Sequence, residues 1–388
     1  MNPSPDRLAH DSAKPDPAGD HARRIVELVA RGEAASRSDL AGLLGLAPST
    51  VSLRVQELVD AGILREDGQG RSSGGRRPRR LTLGSTQHRV LAAELGGEHA
   101  RLGLLDFGGH LHRVRTIPIR IADGPEATLD LVEEGLRALA EDADIRGIGI
   151  ALPGPVRFET GSVDQPSRMP GWPGFRVGEA LTERFGVPAA VDNDANLMAL
   201  GEHYRSLTRE QHSITVKAGT AIGSGIIVAG SVHRGATAAA GDITHTLIDD
   251  AADIPCSCGN HGCLETVASG AGLVRQMQER GIDVSTAAEV LERARNGDPI
   301  ATSLVRTAGT RLGQVLSGVV NFFNPHAVFL TGSMSASEPF LAAVRSRVYE
   351  ACHPLATQTL RIESAQTGPD AALYGAARLA MEQIDPVS

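Results

Sequence analysis

The 388 residues contain no run of about 18 apolar residues, which argues against a membrane-spanning helix and for a protein with no membrane partner. The opening stretch MNPSPDRLAHDSAKPDPAGDHARR lacks the apolar segment of a secretory signal, so the cytoplasm is the expected compartment. Cysteine is scarce: there are four, and a reducing cytosol disfavours pairing them as disulfides. Three of them, Cys256, Cys258 and Cys263, stand in C-x-C-x4-C spacing within HTLIDDAADIPCSCGNHGCLE. Cysteines two residues apart are poorly placed to bridge, so the cluster reads as a metal site, and the isolated Cys352 as a packed thiol. Acid is missing from one place: the formal net charge is -8, yet RSSGGRRPRR, residues 71–80, carries five arginines and no carboxylate. An acidic chain with one basic strip points to a local anionic partner.

What is present is enough apolar residue, 41% and spread throughout, for two or three domains. Residues 1–20, rich in Pro, Asp and Ala without periodicity, are expected to be a disordered tail. Then HARRIVELVARG places Ile25, Val26, Leu28 and Val29 on one helical face. Ser36 can cap a second helix, with Asp39 reaching back, and that helix ends near Gly45. Pro48 suits the start of a third, in which Val51, Val55, Leu58 and Val59 form the apolar stripe. Its other face carries Ser49, Thr50, Ser52, Arg54 and Gln56, side chains that can reach phosphates and base edges. The arginine strip then leads into RRLTLG, which fits a strand, loop, strand wing. Over residues 21–83 this resembles a winged helix-turn-helix domain for double-stranded operator DNA. Helix 48–60 would enter the major groove, while Arg71, Arg76, Arg77, Arg79 and Arg80 would contact phosphate or a narrow minor groove.

Beyond a GSTQ linker, strands and helices alternate, as in an α/β fold. HRVLAAELGG and ARLGLLDFGG read as a strand pair; GIGIALPG and PAAVDNDAN read as buried strands ending in polar loops, where such folds bind ligands. Three thiolates and one imidazole make a closed, tetrahedral, structural zinc site, and either His245 or His261 can supply the imidazole. Gly259 and Gly262 keep the loop tight, which makes a return path for His261 short.

The ordered set ELGGEHARLGLLD, GIALPGPV, VDNDANLMALGE, KAGTAIGSG, AAGDITHT, CSCGNHGCLE and NPHAVFLTGS resembles the ROK family of repressors and sugar kinases over residues 87–388. With a winged helix in front, the whole chain is similar to the family's NagC/XylR-type transcriptional regulators. The resemblance implies a two-lobed, actin-like sugar-kinase fold with sugar in the cleft and a zinc loop at 245–265. It makes His245 the fourth metal ligand, since that residue matches the histidine of the family's G-E-x-G-H motif. It also implies sugar contacts from Asn193, Asp194, Asp242, His245 and Glu265, with Asp194 the base where the protein is a kinase.

Several positions depart from the kinase pattern. The first phosphate loop has Glu94, Gly96, Gly97 and Glu98. A carboxylate at about 4 Å from a phosphate would cost on the order of 4 kcal/mol, roughly a thousandfold in affinity. Ala221 replaces a glycine of the second loop, and Gly332-Ser333 a Gly-Gly pair. Asp242 is a methylene shorter than the family glutamate, Thr244 stands for a glycine, and Ser167 for an asparagine that contacts sugar. The expected protein is therefore a regulator, a repressor in the first instance, which responds to a sugar or sugar-derived effector and catalyses nothing. A homodimer or homotetramer is expected because paired half-sites need two recognition helices. The alternatives are an active ATP-dependent sugar kinase with a DNA-binding appendage, or a ligand-free DNA-binding protein.

Overall fold

Pro17, whose fixed φ suits a first helical turn, opens α1 (Pro17–Ala30), so helix begins inside the stretch expected to be a tail. The computed structural model describes residues 17–30, 32–69, 79–84, 88–164, 169–205 and 210–384. The chain divides into a unit built mainly from residues 1–86 and a larger one over residues 87–383. In the first unit α2 (Arg37–Leu44) is capped by Ser36, whose Oγ accepts the Asp39 N–H at 3.2 Å. The Asp39 carboxylate in turn accepts the Ala35 N–H at 2.9 Å, which closes a reciprocal cap one residue wider than the usual box. Gly45, at φ +64°, ends α2 in the left-handed conformation that a side chain would strain. Helix α3 (Pro48–Asp60) buries Val51, Val55 and Leu58 in a core shared with Ile25 and Leu40. The strands β1 (Leu64–Gln69) and β2 (Arg79–Leu83) pair antiparallel as the expected wing.

The larger unit repeats one path. In its first lobe β3 (His88–Leu95), β4 (His99–Asp106) and β5 (Leu111–Pro118) form an antiparallel meander. After α4 (Pro125–Ala140) the chain lays β6 (Asp144–Leu152) parallel to β3. The short ribbon β7 (Val156–Arg157) with β8 (Ser162–Val163), then α5 (Val177–Phe185), lead to β9 (Ala189–Asn193), parallel to β6, and to α6 (Asp194–Arg205). The five-stranded sheet runs β5-β4-β3-β6-β9.

The second lobe begins again with a meander, β10 (His212–Ala218), β11 (Ile222–Val228) and β12 (Ser231–Val232). Helices α7 (Leu264–Ala268), α8 (Gly270–Gln278), α9 (Ala287–Arg295) and α10 (Pro299–Phe323) follow the cysteine loop. Then β13 (Ala327–Thr331) pairs parallel to β10, α11 (Glu338–Ala351) and α12 (Pro354–Thr357) intervene, and β14 (Arg361–Ser364) pairs parallel to β13 before α13 (Ala371–Gln383). The order β12-β11-β10-β13-β14 matches the first sheet strand for strand. This duplication is the two-lobed actin-like sugar-kinase architecture.

Each sheet has its own apolar core, and a third core is made where α6 and α13 lie between them. Close approach there depends on glycine: a Cβ on Gly225 of β11 would stand 2.4 Å from the Ala195 carbonyl oxygen of α6. Part of the glycine-rich run GTAIGSG is thus explained by helix packing. Cys352 is buried and its Sγ lies 3.4 Å from the Ser317 carbonyl, a packed thiol as expected.

Candidate functional site

The loop before α7 folds back on itself, with Ile248 N–H donating to the Gly262 carbonyl and Gly262 N–H to that of Ile254. This doubling brings His245, Cys256, Cys258 and Cys263 together, their ligand atoms all within 4.8 Å of one another. Cys258 and Cys263 sulfurs are 3.7 Å apart and His245 Nδ1 is 3.6 Å from Cys256 Sγ. A tetrahedron with zinc–sulfur bonds of about 2.3 Å has edges of about 3.8 Å, and slightly less toward nitrogen, so the donor set fits one such ion. Burial and the neighbouring sulfurs push the Cys263 thiol up to about 12, the behaviour of crowded thiols that a divalent cation would relieve. His261 is exposed and outside the group, and its backbone forms a bridge with Pro255.

The same loop is bonded to the turn between β10 and β11. Glu265, only 5% exposed, accepts the Ile222 N–H at 2.9 Å, and Thr244 Oγ1 donates to the Ile222 carbonyl at 2.7 Å. Beside the same turn, paired with Gly223, Lys217 meets the start of α6: its Nζ is 2.7 Å from Asp194 Oδ2 and 3.8 Å from Glu94 Oε1. Asp194 Oδ1 accepts the Ala195 N–H at 2.8 Å. Asn193 serves as a helix cap, its Oδ1 accepting Ala195 N–H at 2.9 Å, and its Nδ2 donates to the Gly154 carbonyl at 3.0 Å. Next to it Asp192, fully buried, binds Arg234 at 2.7 Å, whose guanidinium lies 3.6 Å from the centre of the Phe158 ring. Asp242 lies exposed at the loop surface.

Burial pushes the Glu94 carboxyl above its usual range, against the pull of Lys217. Burial also opposes the charge on Lys217, but Asp194 and Glu94 more than offset it, so its amine stays above the ordinary value. The arrangement is one ammonium clamped between two carboxylates from the opposite lobe.

In the smaller unit α3 presents Ser49, Leu53, Gln56 and Asp60 as its exposed stripe, with Thr50, Ser52 and Arg54 half-buried at the flanks. Arg37 knits this helix to the wing, donating to the Ser52 carbonyl at 2.7 Å, Gln56 Oε1 at 3.2 Å and Glu66 Oε1 at 2.8 Å. Arg54 pairs with Glu57 at 2.8 Å, and Gln56 Nε2 donates to Asp60 at 2.8 Å. Arg79 pairs with Glu66 at 3.2 Å, and Arg80 is exposed on β2. Arg71, Arg76, Arg77 and Ser167 lie outside the described residues.

The profile described as the ROK family matches residues 90–383, and a helix-turn-helix domain profile matches residues 20–67. The chain belongs to the ROK family. It is 27% identical to the xylose repressor of Caldicellulosiruptor bescii over 371 residues, 90% of this chain and 92% of that one. Among solved structures, a ROK transcriptional regulator described as a homologue of the E. coli MLC protein superposes with a TM-score of 0.82 at 25% identity, covering 95% and 97% of the two chains. A ROK glucokinase from Streptomyces griseus, solved with glucose and AMPPNP, matches at TM-score 0.68 and 25% identity over 75% of this chain and 99% of its own.

Within this ROK chain some departures from the kinase pattern have structural explanations. Glu98 is exposed at the tip of the β3–β4 hairpin, and Thr244 gains a buried hydrogen bond that a glycine could not make. Of the Gly332-Ser333 pair the retained glycine is required, at φ +87° with a Cβ position 2.6 Å from the Ala218 carbonyl oxygen, while nothing in the structure explains Ser333. Lys217, Arg37 and Arg234 were not anticipated from the sequence. The available signal was a single cation placed in an apolar strand immediately before a glycine-rich turn.

Proposed function

We propose that this protein is a cytoplasmic, DNA-binding transcriptional repressor, controlled by a sugar or sugar-derived effector received in its kinase-like unit, and that it does not phosphorylate sugars. The observation that carries the choice of regulator over kinase is the Lys217–Asp194 pair at 2.7 Å. A general base must accept the proton of a sugar hydroxyl, and a carboxylate neutralised by an ammonium at hydrogen-bond distance is a poor acceptor. The helix-turn-helix unit and the regulators among its relatives support the DNA-binding part. Asn193, Asp194, Asp242, His245 and Glu265 are the proposed effector contacts. Ser49, Thr50, Ser52, Arg54, Gln56 and the wing arginines are the proposed DNA contacts.

Zinc would be held by His245, Cys256, Cys258 and Cys263, where it supplies cross-linking of the loop and no chemistry. With His245 Nδ1 turned to Cys256, Nε2 is left to donate to an effector hydroxyl, and the fold-back holds Glu265 close by, its N–H donating to the Thr244 carbonyl at 3.0 Å. Two copies of the chain would bind a paired operator.

Thermal shift over a panel of sugars, with and without ATP, tests the proposal, because a ligand stabilises by an amount set by its concentration over its dissociation constant. A sugar that raises the melting temperature without ATP and releases operator DNA is the expected result. Sugar-dependent ATP turnover at ordinary kinase rates would overturn it in favour of the kinase reading.

A further inference from the structure

On α3 the acids are confined to the last turn, at Glu57 and Asp60, while the segment from Pro48 to Gln56 has none. Phosphate repels the acidic end, so the half of the helix able to enter a groove is the first two turns. That matches the general habit of recognition helices, which meet base edges with their amino-terminal residues. In those turns the outermost side chains are Ser49 and, one turn on, Leu53, which is 57% exposed. Gln56, the next position of the stripe, is already engaged by Arg37 and Asp60. A single exposed leucine elsewhere on a surface needs no explanation. This one occupies the middle of the face otherwise made of Ser49, Ser52, Arg54 and Gln56, where an isobutyl group can neither donate nor accept. The major groove offers one apolar feature to such a group, the 5-methyl of thymine.

We propose that Leu53 is a specificity residue that packs against a thymine methyl in each operator half-site. This rests on the DNA-binding reading above. Ser49, beside it, is left to hydrogen-bond a neighbouring base edge or phosphate, so the pair would read an A·T base pair and its flank.

The test begins with selection of a preferred duplex by the full-length protein from a random pool, followed by replacement of each thymine, one at a time, with deoxyuracil. The expected result is one position per half-site at which loss of the methyl weakens binding about fourfold, the worth of one buried methyl. L53A should bind the thymine and deoxyuracil duplexes equally, and a second selection with L53A should lose its thymine preference at that position alone. Because Leu53 is exposed, the variant is expected to melt at the wild-type temperature. The proposal is overturned if wild type shows no methyl-dependent position, or if L53A keeps the same thymine preference. It is equally overturned if L53A alters the oligomeric state and leaves base preference intact. If full-length protein selects no sequence at all, the DNA-binding reading falls first and this one with it.

Discussion

The cysteine loop and the glycine-rich turn at residues 219–221 are joined through Ile222, yet they satisfy their charges in opposite ways. The loop converges four donors on one point, where burial and the neighbouring sulfurs hold the Cys263 thiol in its neutral form. Beside the turn, Lys217 lies between Asp194 and Glu94, so a cation supplied by the chain neutralises the carboxylate that the kinase reading would use as its base. The first arrangement offers a donor set that fits an added ion. The second is complete without a ligand. A site that compensates itself has given up part of its affinity for outside charge, and this is the physical content of reading the unit as a sensor.

Removing a metal donor should give the largest effect. Cys263→Ser is expected to lose one equivalent of bound zinc and several kcal/mol of stability, since structural zinc supplies on the order of 10 kcal/mol to small zinc-dependent domains. Metal analysis and limited proteolysis between residues 245 and 265 measure this. His261→Ala should keep the metal, and retention of zinc by Cys263→Ser, or its loss from His261→Ala, would break this half of the comparison.

Next in size is removal of the internal cation. Lys217→Met leaves two mostly buried carboxylates facing each other and should cost about 3 kcal/mol in urea unfolding. Adding Asp194→Asn should recover part of that loss, whereas purely additive losses would mean that the pair is not coupled. The pH dependence has a definite sign. Glu94 is raised in the fold, so its contribution is fully present below the ordinary 4.5 and is lost as pH rises through the raised value. Over that window the wild type should lose stability relative to Glu94→Gln; parallel melting curves would show that Glu94 is not shifted by its burial.

Much of the architecture was legible in the sequence because it rests on local signals. The Ser36 cap, the Gly45 stop, the Val51-Val55-Leu58 stripe and the antiparallel wing all follow from short-range chemistry, and each is present. The choice of His245 over His261 was legible chiefly through the family motif, with the tight Gly259–Gly262 loop as a second signal, and it is His245 that lies among the three sulfurs. Lys217 was not legible, because its partners belong to β3 and α6, and a strand-end lysine reads as a solvated side chain. Pairing across lobes depends on which strands the duplicated sheets place opposite one another. Asn193 shows the converse: a residue matched to sugar binding whose amide is also spent on capping α6 and holding Gly154.

The smallest expected effect concerns the link between the two regions. Thr244→Val keeps the volume and removes the hydroxyl that donates to the Ile222 carbonyl at 2.7 Å, a bond in which Thr244 is only 8% exposed. Leaving that carbonyl without its partner should cost about 1 to 2 kcal/mol. Zinc content should be unchanged, because none of the four donors is touched. Effector affinity should fall nevertheless, since Thr244 precedes His245 and the Ile222 N–H also donates to the Glu265 carboxylate. Isothermal titration with the sugar found by thermal shift checks this. If Thr244→Val weakens the fold without changing effector affinity, the metal loop and the turn act as separate parts. If affinity falls while zinc stays, the hydrogen bonds at Ile222 are the route by which a structural metal positions an effector site.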